Sequence, residues 1–180
     1  MNPLLFVVRL LFISIIFVSC NSGNKTNDEN KSELNNAKSQ KESLIKVNKY
    51  LVAAESVEIE NYIRRHNLNM IETGSGVKYQ ITKTGTGEKA TKGRIVVLNY
   101  KVKLITGDVI YSSAENGTKQ FKIGYGGVES GLEEAILFMR GGDEAIIIIP
   151  SHLAFGLLGD NKKVPSRSTV IYEIEITNIN

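Results

Sequence analysis

The chain has 180 residues, enough for one main domain with additional sequence. Its 22 basic and 19 acidic residues leave a formal charge of +3, too small and too interspersed to indicate nucleic-acid binding. A single cysteine excludes an internal disulfide and argues against a cysteine-based metal site.

Residues 10–18 (LLFISIIFV) form a short uncharged apolar run preceded by Arg9. A comfortable membrane span needs roughly 20 apolar residues, so this run fits the hydrophobic region of a secretory signal peptide. The following Phe17-Val18-Ser19-Cys20 resembles a bacterial lipobox. In that motif the cysteine becomes the lipidated first residue of the mature chain. The expectation is therefore a signal peptide over 1–19 and a lipid anchor on Cys20 as the membrane partner. Asn21 after the cysteine favours an outer membrane facing the periplasm.

Residues 20–41 are rich in Asn, Ser and Lys and nearly free of apolar side chains, which predicts a flexible tether. Residues 42–73 read as a helical spacer. Leu44, Val47, Leu51, Ala54, Ile59, Tyr62 and Ile63 recur at helical spacing, Ser56 suits a break and Asn67 a stop. Two roles are open for residues 42–67: packing on the following domain, or pairing with a partner, including a second copy as a homodimer.

Residues 74–180 read as the main domain. Val77, Tyr79 and Ile81 alternate with polar residues, as do Val96, Leu98, Tyr100, Val102 and Leu104, the pattern of half-buried strands. A turn at 106–108 leads into a strand at 109–113, and Phe121 and Ile123 mark a short one. Residues 130–140 predict a helix, with Ser130 and Glu133 as a capping box and Leu132, Ala135, Ile136 and Met139 as one apolar stripe. Residues 144–149 are apolar on both faces, which predicts a central strand ended by Pro150. Residues 169–179 alternate again, with Tyr172 inward. Strands, one helix, then strands predict an α+β domain. His152 reads as a polar loop residue. Gly124-Tyr125-Gly126-Gly127 lacks the Lys-Ser/Thr of a phosphate loop and reads as a turn.

A set of short motifs follows in order: Gly85-x-Gly87, Asn99-Tyr100, Ile110-Tyr111-Ser112-Ser113, Val128-x-x-Gly131-Leu132-x-Glu134, Met139-Arg140-Gly141-Gly142, Ile149-Pro150-x-x-Leu153-Ala154-Phe155-Gly156 and Val164-Pro165. In this order and spacing the domain resembles the FKBP-type peptidyl-prolyl cis-trans isomerases. With its lipobox and spacer, the whole chain is similar to the gliding-motility-associated isomerase lipoproteins of Bacteroidota. The resemblance implies an antiparallel sheet wrapped over one short helix, proline-containing polypeptide clients, and no cofactor or metal. It places Tyr100, Phe121, Val128, Leu132, Phe155, Val164 and Tyr172 in a prolyl-binding cavity, with Leu132 as its floor. Ile110, Tyr111 and Glu129 would contact the substrate.

Several positions depart from the family pattern. Ile110-Tyr111 stands where Phe-Asp is common, Phe155 where a Tyr is common, Glu129 where an Ile is usual, and Ser166 where a second proline often follows. The departures keep an apolar cavity and thin its polar fittings. Two functions from different classes follow: a membrane-anchored isomerase that assists folding of envelope proteins, or a catalytically weak chaperone or binding scaffold on the same fold.

Overall fold

The computed structural model describes residues 25–180. The expected signal peptide over 1–19 and the expected lipidation site at Cys20 lie outside the described residues. Two compact units are defined, Met1–Lys49 and Tyr50–Asn180.

Helix α1 runs Lys25–Arg65 without a break at Ser56. The sequence led us to expect a tether up to residue 41, and the backbone from Lys25 onward is helical instead. Lys, Glu, Gln and Ala propagate a helix well without burying anything. Residues 34–50 are all exposed. The helix ends in a Schellman arrangement. Asn67 adopts a left-handed conformation (φ 51°), and the Leu68 N–H donates to the Ile63 carbonyl at 3.1 Å.

The seven strands are β1 (Ile71–Glu72), β2 (Lys78–Lys83), β3 (Ile95–Leu104), β4 (Val109–Ser112), β5 (Lys119–Lys122), β6 (Glu144–Ile149) and β7 (Val170–Ile179). They form one antiparallel sheet in the order β1-β2-β6-β7-β3-β4, with β5 also paired to β3. Strands β4 and β5 share one edge of β3 in succession, at Lys101–Lys103 and Ile95–Leu98. A single turn, α2 (Ser113–Asn116), separates them.

Helix α3 (Ser130–Ile136) buries Leu132, Ala135 and Ile136 against the inner sheet face. It is shorter than the sequence suggests, and the capping box is not used. Glu129 is the N-cap residue, and Ser130 Oγ donates to the Leu153 carbonyl at 3.2 Å. The Glu133 carboxylate turns away and accepts the N–H groups of Gly124, Tyr125 and Gly126 at 2.6, 3.0 and 3.1 Å. That turn is therefore held by a carboxylate of the protein itself.

Within the second unit a smaller apolar cluster lies on the outer sheet face. Ile59 and Tyr62 of α1 pack with Ile148 and Ile171. This accounts for β6 being apolar on both sides: its inner residues face α3 and its outer ones face α1. The contact is pinned by Glu55. Its Oε1 accepts the Ser151 N–H and the Thr169 hydroxyl, both at 2.6 Å, and its Oε2 accepts the Ser151 hydroxyl at 3.0 Å.

Gly85 shows where close approach decides residue type. Its N–H donates at 2.6 Å to the buried Asp143 carboxylate, and a Cβ there would lie 2.2 Å from the Gly141 carbonyl oxygen.

Candidate active site

A cleft of about 280 Å³ opens at the end of the inner sheet face. Strand pairing assembles one wall. Tyr100 lies opposite Ile174 and Val102 opposite Tyr172, so the two tyrosines are diagonal neighbours, with ring centroids 6.4 Å apart. Strand β5 contributes Lys119, the N-cap of α3 contributes Glu129, and the segment after β6 contributes Phe155, Asp160 and Lys162. The 3₁₀ turn Ser151–Leu153 and a left-handed Gly156 (φ 67°), whose N–H donates to the Ser151 carbonyl at 2.8 Å, carry Phe155 back over the sheet.

Of the residues expected in the cavity, Tyr100, Tyr111, Glu129, Phe155 and Tyr172 line the cleft. Ile110, Phe121, Leu132 and Val164 do not; they are buried in the core, and Val128 is half-buried against it. Phe121 is a correction in register along the strand. Side chains two apart share a face, and the cleft end of β5 is occupied by Lys119, while Phe121 lies one repeat further into the core. Leu132 is fully buried and is not among the residues that line the cleft. Sequence reasoning passed over Lys119 because a lysine in a strand usually reads as solvated.

The polar groups fall into two sets. In the first, Asp160 Oδ1 accepts the N–H groups of Lys162, Lys163 and Val164 at 2.9, 3.0 and 2.8 Å, and its Oδ2 accepts the Tyr111 hydroxyl. A carboxylate beside Tyr111 is thus supplied from the loop, although none stands on β4. Partial burial pushes the Asp160 carboxyl up, but the bonds from Tyr111, Val164, Lys162 and Lys163 outweigh it and hold the group at about 2. The Tyr111 phenol is raised by that hydrogen bond and by burial.

In the second set, Lys119 Nζ donates to the Tyr172 hydroxyl at 3.0 Å and lies 3.4 Å from Glu129 Oε2. It also sits 5.2 Å from the ring centroids of both Tyr100 and Tyr172. Burial, then the Glu129 carboxylate, raises the Tyr172 phenol, and the same causes in the same order raise Tyr100. Both phenols stay protonated at neutral pH. The Tyr100 hydroxyl has no protein partner among the described residues. It is a donor held at the rim of an aromatic cleft.

An aromatic cleft with few donors, on an antiparallel sheet wrapped over a short helix, is the arrangement of an FKBP-type domain. The family model for FKBP-type peptidyl-prolyl cis-trans isomerase matches residues 86–177, just over half of the chain. The chain belongs to that family. It is 35% identical over 108 residues to a protein of Neisseria meningitidis serogroup B named probable FKBP-type peptidyl-prolyl cis-trans isomerase FkpA. That match covers 59% of this chain and 39% of the relative. An FK506-binding protein 2 from Dictyostelium discoideum is 36% identical over 58% of this chain and 78% of its own length. The FKBP-type 22 kDa isomerase of Escherichia coli is 32% identical over 71% of this chain and 61% of its own length. Among solved structures, AtFKBP13 aligns with a TM-score of 0.59 at 29% identity, covering 62% of this chain and 99% of that one. An isomerase of Pseudomonas syringae pv. tomato shares the fold at a TM-score of 0.63 and 22% identity, over 73% of this chain and 95% of its own.

Proposed function

We propose that this chain is a lipid-anchored peptidyl-prolyl isomerase of the cell envelope, acting on exported polypeptides. The observation that carries the catalytic part is the cleft of Tyr100, Tyr172 and Phe155 with one unengaged phenol at its rim. Rotation about a prolyl bond crosses a barrier of about 18–20 kcal/mol because amide resonance must be broken. The twisted amide is less charge-separated than the planar one, so an apolar, ring-lined cleft favours it over the ground state. The Tyr100 hydroxyl can hold a flanking carbonyl so that the bond turns against a fixed end. No nucleophile and no cofactor enters this chemistry.

The anchor rests on the lipobox ending at Cys20, and gliding-motility components among the clients rest on the resemblance of the whole chain alone. The exposed Leu44, Ile45, Val47 and Tyr50 on the early part of α1 support pairing with a second copy. Light scattering of the full chain in detergent checks that pairing; a monomer at micromolar concentration contradicts it.

The test of the activity is the slow refolding phase of a substrate protein with a native cis-proline, which takes tens of seconds uncatalysed. The full chain should shorten that phase in proportion to its concentration. A phase of unchanged length, with aggregation nonetheless suppressed, would favour the second reading, a binding scaffold. That reading draws on Tyr111, whose hydroxyl is already engaged within the protein by Asp160. Membrane retention that survives Cys20→Ser would remove the anchor from the account.

A further inference from the structure

The charges around the cleft are oriented unequally. Asp160 has both oxygens engaged by four donors of the protein. Glu129 is turned inward, its side chain only 8% exposed, while its partner Lys119 is 23% exposed. A charge-assisted N–H···O bond is typically about 2.7–2.9 Å long, so the 3.4 Å separation from Glu129 leaves the ammonium loosely held. An ammonium has three donors; Tyr172 takes one and Glu129 at most a second, and Lys119 lines the cleft, which leaves a third donor for a ligand there. Lys162 lines the same cleft, and its ammonium has no partner among the described residues. The carboxylates are saturated or inward, and the unused capacity is cationic and donating.

From this we infer that the cleft selects prolines flanked by an acidic residue, with Lys119 as the residue that determines the preference. The inference rests on the peptide-binding reading of the cleft given above. Lys119 Nζ lies 5.2 Å from both tyrosine rings, so a proline seated against those rings brings only its immediate neighbours within reach. Consecutive Cα atoms are about 3.8 Å apart, which puts a Glu side chain on either neighbour at salt-bridge distance. A neutral glutamine of the same shape gains no such ion pair. Apolar contacts with the rings remain, so the charge adds selectivity to a binding mode that the rings already provide.

The experiment uses the full chain in detergent and two peptide series, Ala-Xaa-Pro-Phe and Ala-Leu-Pro-Xaa, each with Xaa as Glu, Gln or Lys. Dissociation constants come from chemical-shift titration and turnover from exchange spectroscopy on the same samples. At low salt the Glu peptide of at least one series should bind about three- to tenfold more tightly than its Gln counterpart, and Lys more weakly than Gln. The Glu advantage should shrink at 0.5 M salt, as expected for a partly exposed pair at a Debye length of about 4 Å. It should vanish in Lys119→Met and survive in Lys119→Arg. Equal binding of Glu and Gln in both frames overturns the inference, and this needs only the wild-type chain. So does a preference that survives Lys119→Met. Glu-selective binding without accelerated exchange upholds the inference and overturns the isomerase reading. Binding of none of the peptides overturns both.

Discussion

Replacing Glu55 with alanine removes one carboxylate and three hydrogen bonds at once, and the cost can be worked from their surroundings. The donors are the Ser151 N–H and hydroxyl and the Thr169 hydroxyl, on two buried residues. The hydroxyls can rotate toward other acceptors, but the Ser151 N–H is fixed by the 3₁₀ turn and is stranded. A hydrogen bond to a charged group contributes about 1.5–3 kcal/mol net, and a stranded buried donor costs about 1–3 kcal/mol. With the hydroxyls free to find other acceptors, a total near 3 kcal/mol is expected. The second unit has about 130 residues. At roughly 2.1 cal/mol/K per residue, its entropy of unfolding makes this loss a fall in Tm of about 10 °C. Glu55→Gln keeps one acceptor and should fall about half as far. Scanning calorimetry reads the shift, and hydrogen exchange at the Ser151 amide reads its origin, since that amide should lose protection selectively. A Tm within about 2 °C of wild type for Glu55→Ala would refute the claim that this residue fastens α1 to the domain.

Asp160→Asn tests the loop that frames the cleft. Because the folded carboxyl is held at about 2 against an ordinary 3.8, its contribution is complete above pH 3.8 and is lost as the pH falls through 2. Wild type should therefore show an acid transition at the Val164 amide in that window, read by NMR; the Asn variant should lack it and start from a less ordered loop at neutral pH. Gly85→Ala should destabilise the domain by about 3 kcal/mol or more, because the new Cβ meets the backbone of Gly141, Gly142 and Asp143 at 2.2–2.6 Å and nothing there is a flexible side-chain tip. Urea denaturation measures it, and a midpoint unchanged from wild type would contradict the packing described for that turn.

The strands were legible because each has two different environments. β3 and β7 alternate since one face meets α3 and the other carries paired charges such as Lys103 and Glu173. Tyr100 and Tyr172 could be placed on the inner face for the same reason. Alternation assigns a face but not a depth, and that is how Phe121 was placed in the cleft when the cleft end of β5 belongs to Lys119. The first turns of α1 were illegible because residues 25–41 are rich in Asn, Ser and Lys, a composition that reads as a tether. Ser130 and Glu133 had capping-box spacing, but three N–H groups of the preceding turn compete for Glu133 and win. Glu55 gave no signal at all. Its partners are 96 and 114 residues away in sequence, and a carboxylate on a helix otherwise reads as solvated. The Asp160–Tyr111 bond was hidden in the same way: the residue expected to supply a carboxylate is a tyrosine, and the carboxylate comes from a loop 49 residues on.

The central claim is that the ring-lined cleft turns prolyl bonds, and exchange spectroscopy of a short Leu-Pro peptide tests it most directly. The account predicts exchange cross-peaks between cis and trans that grow with added chain and fall at least about tenfold in Tyr100→Ala, while that variant's amide spectrum stays folded. A folded wild-type chain that leaves the cis and trans signals unexchanged, or a Tyr100→Ala chain that turns the bond as fast as wild type, would contradict it.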